Sequence, residues 1–184
     1  MTLGTKIGLR AGAALLALSS LAAPAARSQT SALESFDGTW IFNDGPRDRR
    51  SRDAGIDAVA DQLNLFIREI ARGEMRRRLT PEARIVIDVR GETRVALTIG
   101  DFGPHALELG GPARTFPGPD GHPIQARLEL RAGRLVEREV HGEGDRTNVL
   151  SLNGAAGRLT MAARIGASQL PADIRYRLTY HRAR

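Results

Sequence analysis

From residue 85 onward the chain repeats one pattern: short runs in which every second residue is apolar, separated by glycine-containing turns. Ile85, Ile87 and Val89 alternate with polar positions, and Val95, Leu97 and Ile99 do so after the Gly91-Glu92 turn. The alternation returns at Ile124, Ala126, Leu128 and Leu130, at Leu159, Met161 and Ala163, and at Ile174, Tyr176, Leu178 and Tyr180. Successive side chains of a strand point to opposite faces, so this period marks strands with one face buried. Ala132-Gly133, Gly142 to Asp145 and Gly154 to Gly157 supply turns between them. Adding Thr39 to Asn43, His105 to Leu109, Arg114 to Phe116, Arg134 to His141 and Arg146 to Leu152 brings the expectation to about ten strands. A meander of that length most simply closes on itself, because closure removes unpaired edges. The expected fold is mainly β, an antiparallel up-and-down barrel.

One helix interrupts this plan, between the first and second strands. Asp53 is a plausible N-cap for a helix from about Ala54 to Arg72, since its carboxylate can accept from free first-turn N–H groups. At about 100° per residue, Ile56, Val59, Ala60, Leu63, Phe66, Ile67, Ile70 and Ala71 fall in one arc, with Asp57, Asp61, Leu65, Arg68 and Arg72 opposite. The arc predicts a helix laid on the barrel. Gly73 weakens it and Thr80-Pro81 ends the turn that follows.

The first residues read as an address. Lys6 and Arg10 precede an apolar run from Ala11 to Ala23 and then a cluster of small residues, the order of a secretory signal peptide over residues 1–28. Cleavage after Ala25 or after Ser28 fits equally. The run is shorter than the roughly 20 residues that span a bilayer. The mature chain, residues 29–184, is then one domain, expected to be periplasmic or secreted. Without cysteine it has no disulfide, lipobox or thiolate ligand. Removing Lys6, Arg10 and Arg27 leaves 24 basic residues against 21 acidic ones, so the whole-chain charge of +6 falls to an ordinary value. Its arginines are interspersed with acids and not interleaved with aromatics, which argues against a nucleic-acid partner. The clusters at Arg47 to Arg52 and Arg76 to Arg78 read as solvated charge beside a helix, with an anionic-lipid patch as the alternative.

The order of elements, opened by Phe36-Asp37-Gly38-Thr39-Trp40, resembles the fatty-acid-binding proteins and, more loosely, the lipocalins. Phe36, Gly38 and Trp40 carry the motif. The resemblance implies a barrel with Trp40 packed at its base and a small apolar ligand. Ile41 stands where the fatty-acid-binding proteins place a lysine after the Trp. Leu178 stands where they place an arginine two residues before the final tyrosine.

No catalytic, cofactor or metal site is expected. His105, His122, His141 and His181 lack ligand spacing, and surface or turn positions are expected for them. There is no Gly-x-Ser-x-Gly elbow. Glu137 and Glu139 are expected on an exposed strand face. Along the same strand, placing Val136 and Val140 inward costs less than burying two carboxylates, and it carries Arg138 inward. Tyr176 and Tyr180 share the face of Ile174 and Leu178. Arg138, Tyr176 and Tyr180 are therefore the candidate ligand-binding residues, facing the polar head of an amphipathic molecule. Two non-enzymatic functions follow: a binder of a small apolar or amphipathic ligand, or an envelope protein with a filled barrel that works through its surface, on a membrane or a protein partner. The oligomeric state is left open.

Overall fold

The protein is described from a computed structural model covering residues 31–118, 121–142, 144–154 and 157–184. The signal peptide expected over residues 1–28, Glu143 and residues 155–156 lie outside the described residues. Ten strands form one antiparallel sheet: β1 (Gly38–Phe42), β2 (Arg84–Arg90), β3 (Arg94–Ile99), β4 (Phe102–Glu108), β5 (Arg114–Pro117), β6 (Pro123–Arg131), β7 (Arg134–His141), β8 (Gly144–Asn153), β9 (Arg158–Ala167) and β10 (Ile174–Arg182). Neighbours in sequence are neighbours in the sheet, and the first strand pairs with the last. Ala132 and Gly133 both take positive φ, the geometry that lets a two-residue turn follow the strand twist.

The barrel is nearly closed. β4 and β5 are the two ends of the strand order, and the seam between them is bridged by other contacts. Gly110 N donates to Leu128 O at 2.8 Å, Arg114 Nη1 donates to Ala106 O at 2.9 Å, and the rings of His105 and Phe116 stack at 4.3 Å.

The Phe-x-Gly-x-Trp motif works as a base plate. Trp40 and Phe36 are buried, and Trp40 Nε1 donates to Phe36 O at 2.9 Å. β1 pairs β10 with Trp40 opposite Arg182 and Phe42 opposite Tyr180. The Arg182 guanidinium lies over the Trp40 ring, 4.4 Å from its centroid, and donates to Ser35 O and Asp37 O. Gly38 has φ +123°, and a Cβ there would sit 2.9 Å from Arg182 Nη1. That position demands glycine.

The expected helix is two helices. α1 (Pro46–Ala60) starts eight residues upstream of the expected boundary, with Gly45 at the N-cap, Pro46 in the first turn and Asp48 against the positive helix end. Asp53 is therefore an interior helical residue. The chain breaks after Ala60 because Asn64 opens a second helix, α2 (Leu65–Arg78): its side chain accepts from Phe66 N at 3.0 Å. Gly73 does not end α2, which runs on to Arg78.

This break divides the predicted apolar arc. Ile56, Val59 and Ala60 are buried in the core, as the arc requires, but Leu63 is half-buried. Phe66 is 90% exposed, Ile70 75%, Leu65 74% and Ile67 51%, so α2 carries an unpartnered apolar stripe. The residues assigned to solvent become the hinge contacts of the hairpin. Arg72 pairs with Asp57 of α1 at 2.9 Å and with Asp61, the C-cap just beyond it, at 2.8 Å, and Arg76 reaches Asp57 at 3.2 Å. Arg77 and Arg78 pair with Glu74. The cluster from Arg76 to Arg78 is thus engaged within the hairpin.

α1 also finishes the sheet. Pairing of β10 with β1 covers Tyr180 to Arg182 only, leaving the backbone edge before it open. α1 lies along that edge. Ser51 Oγ accepts from Arg177 N at 3.0 Å, Thr179 Oγ1 donates to Asp48 Oδ1 at 3.1 Å, and Gly55 abuts the Arg175 carbonyl. A strand edge is a hazard when unpaired, and here a helix covers it.

Candidate functional site

The strands from β6 to β10 stack their inward side chains in rows. One row is Leu130, Leu135, Leu150, Met161 and Leu178. The next is Leu128, Glu137, Asn148, Ala163 and Tyr176, and the one after is Ala126, Glu139, Arg146, Ile165 and Ile174. In the first row Leu135, Leu150, Met161 and Leu178 are fully buried, as is Trp40 at the base, while Leu130 is half-buried. The last row is looser: Glu139, Arg146 and Ile165 are all half-buried, as is Phe116.

Tyr176 and Tyr180 lie in the interior, where the period of β10 directs them. Arg138 does not. Leu135, Glu137 and Glu139 face inward, so Arg138 stands on the outer face, in register with Arg127 and Thr147. There it helps line a depression of about 400 Å³ with Arg127, Thr147, Arg164 and Val140, the last 53% exposed. The expected inward set of Val136, Arg138 and Val140 is corrected by partners on the next strand. Asn148 Nδ2 donates to Glu137 Oε2 at 2.9 Å, and Arg146 stands opposite Glu139. The bond to Asn148 and the charge of Arg146 offset part of the cost that burying two bare carboxylates would carry.

The interior guanidinium is Arg146, which no local strand pattern singled out. Its Nε donates to Asn148 Oδ1 at 3.0 Å. Burial alone acts to lower its pKa, but Tyr176, Glu139, Glu137 and Glu82 together raise it, so its charge is held firmly. Burial raises both tyrosine pKa values, and Tyr180 Oη is buried without a partner.

His105 is a second correction. It is buried in the core and not at the surface, as the histidine spacing suggested. Its Nδ1 lies 4.0 Å from Glu139 Oε1, and donor atoms of His105, Glu137 and Glu139 all lie within 4.8 Å of one another. Burial lowers the His105 pKa, partly offset by Glu139, so the ring is neutral near neutral pH. Burial, with the neighbouring Glu139 charge, raises the Glu137 pKa to about 8, against the pull of Asn148 and Arg146. Glu137 and Glu139 are thus interior residues, contrary to the exposed strand face expected for them. The cluster forms across the barrel seam, so no spacing in the sequence reveals it.

No family model matches the chain, and no curated protein shows significant similarity to it. Solved structures do. A secretary abundant heat soluble protein from Ramazzottius varieornatus superposes with TM-score 0.52 at 13% identity, over 81% of this chain and 96% of its own. The fluorescent protein UnaG gives 0.51 at 15% identity, over 82% and 99%. The REP1-NXSQ fatty acid transporter gives 0.50 at 14% identity, over 82% and 98%. At these identities the likeness concerns the fold. The chain has the barrel fold of these structures, with a helical hairpin between the first two strands.

Proposed function

We propose that the protein is a non-enzymatic binder of a small amphipathic molecule, exported to the periplasm or beyond, with the ligand's polar end at Arg146 and Tyr176. The observation that supports this is the gradient inside the barrel: buried at Trp40, half-buried at Glu139, Arg146 and Ile165. The sharing of this fold with a fatty acid transporter supports it too. α2 is the natural mobile element, because Met75 is its one buried side chain. The head group is uncharged. The carboxylates of Glu82 and Glu139 already act on Arg146 and would repel an anion.

Displacement of a fluorescent lipid probe tests this reading. Saturable binding is expected, a long-chain alcohol should displace better than the matching fatty acid, and Arg146→Leu should weaken binding while Arg138→Leu does not. No saturable binding, or equal affinity in parent and Arg146→Leu, rejects it. Export is tested by intact mass of protein recovered from the periplasm: a chain beginning at Ala26 or Gln29 is expected, and a full-length chain rejects it.

The exposed stripe Leu65, Phe66, Ile67 and Ile70 favours a second reading, in which the protein works through α2 on a membrane surface. Co-sedimentation with liposomes that Phe66→Asp abolishes would select it; no co-sedimentation by the parent rejects it.

A further inference from the structure

We propose that His105, Glu137 and Glu139 form a divalent-cation site inside the barrel, suited to zinc or a first-row ion of the same class. The first support is geometric. One imidazole nitrogen and two carboxylate oxygens lie within 4.8 Å of one another, on elements fixed by the sheet. Tetrahedral zinc with N and O ligands at about 2.1 Å needs donors about 3.4 Å apart, so side-chain rotations of roughly 1 Å complete the set.

The second support is a buried polar atom with nothing to bind. Glu137 is 1% exposed, its Oε2 is taken by Asn148, and its Oε1 is buried without any partner. Leaving such an atom unsatisfied is costly, because it has given up its water without gaining a partner. A cation satisfies it directly.

The surroundings are those of a metal centre. The Asn148 amide orients the Glu137 carboxylate, Arg146 Nε holds Asn148 in turn, and Phe116 stacks on the His105 ring. Outer contacts of this kind fix ligand orientation. Mixed imidazole and carboxylate donors suit zinc-class ions, whereas calcium takes six to eight oxygens. Glu139 also lines the outer depression, which gives an ion a way in. The site adjoins the proposed head-group position at Arg146, but its test reads metal and not lipid.

The test uses untagged, chelator-stripped protein titrated with ZnCl2, CoCl2 and CaCl2. One equivalent of zinc should bind by calorimetry and raise the thermal midpoint, and cobalt should give a visible absorption band that zinc quenches. Calcium should do neither. His105→Gln and Glu139→Gln should each weaken zinc by at least about tenfold, while His141→Gln, on an exposed histidine, leaves it unchanged. If those variants fail to fold, the parent's cobalt band and zinc-dependent midpoint still decide the matter. No stoichiometric zinc in the parent, retention of affinity in His105→Gln and Glu139→Gln, or loss in His141→Gln overturns the site.

Discussion

Gly55→Ala should destabilise the protein, although alanine favours a helix over glycine by about 1 kcal/mol. Gly55 lies in α1 where that helix covers the open edge of β10, and a Cβ added there would sit 2.2 Å from Arg175 O and 3.0 Å from its carbonyl carbon. Both are backbone atoms, so no side chain can swing aside. Ordinary contact begins at 3.4 Å, so α1 must retreat by more than roughly 1 Å. Retreat stretches the Ser51–Arg177 and Asp48–Thr179 hydrogen bonds, now 3.0 and 3.1 Å, and lifts Ile56 and Val59 from the core. Overpacking of this kind costs about 1–3 kcal/mol, and each weakened bond adds about 1 kcal/mol. Set against the propensity gain, a net loss of about 2–4 kcal/mol follows. In urea that is a midpoint fall of roughly 1 M or more. Gly73→Ala is the matched control: Gly73 is also helical, in α2, but nothing lies within 4 Å of an added Cβ. It should stabilise by up to about 1 kcal/mol. Equal shifts of the two variants, or a stabilised Gly55→Ala, would refute the edge-covering role of α1.

Trp40→Ala should cost on the order of 3 kcal/mol through lost burial and the cavity left behind; an unchanged denaturant midpoint would show that Trp40 does not seal the base. Phe66→Asp should shift thermal stability by less than about 0.5 kcal/mol, whereas Ile56→Asp should prevent folding at 37 °C, and similar effects would mean the helix faces are misassigned. Asn148→Leu strips Glu137 of its donor and should cost about 1–3 kcal/mol by urea denaturation. A neutral result there would mean the carboxyl finds another partner.

The strand plan was legible because half-buried strands declare themselves locally: Ile85, Ile87 and Val89 need no knowledge of their neighbours. The closure of β1 on β10 followed from strand number and from Trp40. The helix was half legible. Ile56, Val59 and Ala60 face inward as the arc requires, but Asn64 captures the first N–H groups of a new helix, and this capping signal is set among apolar neighbours that continue the arc. Pro46 was a start signal of the same kind. The sequence of β7 alone favours Arg138 inward, because it shows the cost of burying Glu137 and Glu139 and not the groups that offset it. The deciding groups, Asn148 and Arg146, lie across the β7–β8 ladder, and a strand's own sequence does not contain its partner's register. His105 lies further off still, joined to Glu137 and Glu139 only through the seam of the barrel.

Photolabelling with a diazirine-bearing long-chain alcohol, followed by mapping of the labelled residues, tests ligand binding inside the barrel most directly. Label on Tyr176, Ile174 or Ile165, competed away by excess unlabelled alcohol, is the expected result. Label confined to Phe66 and Ile70 on α2, or label that excess alcohol does not displace, would contradict it.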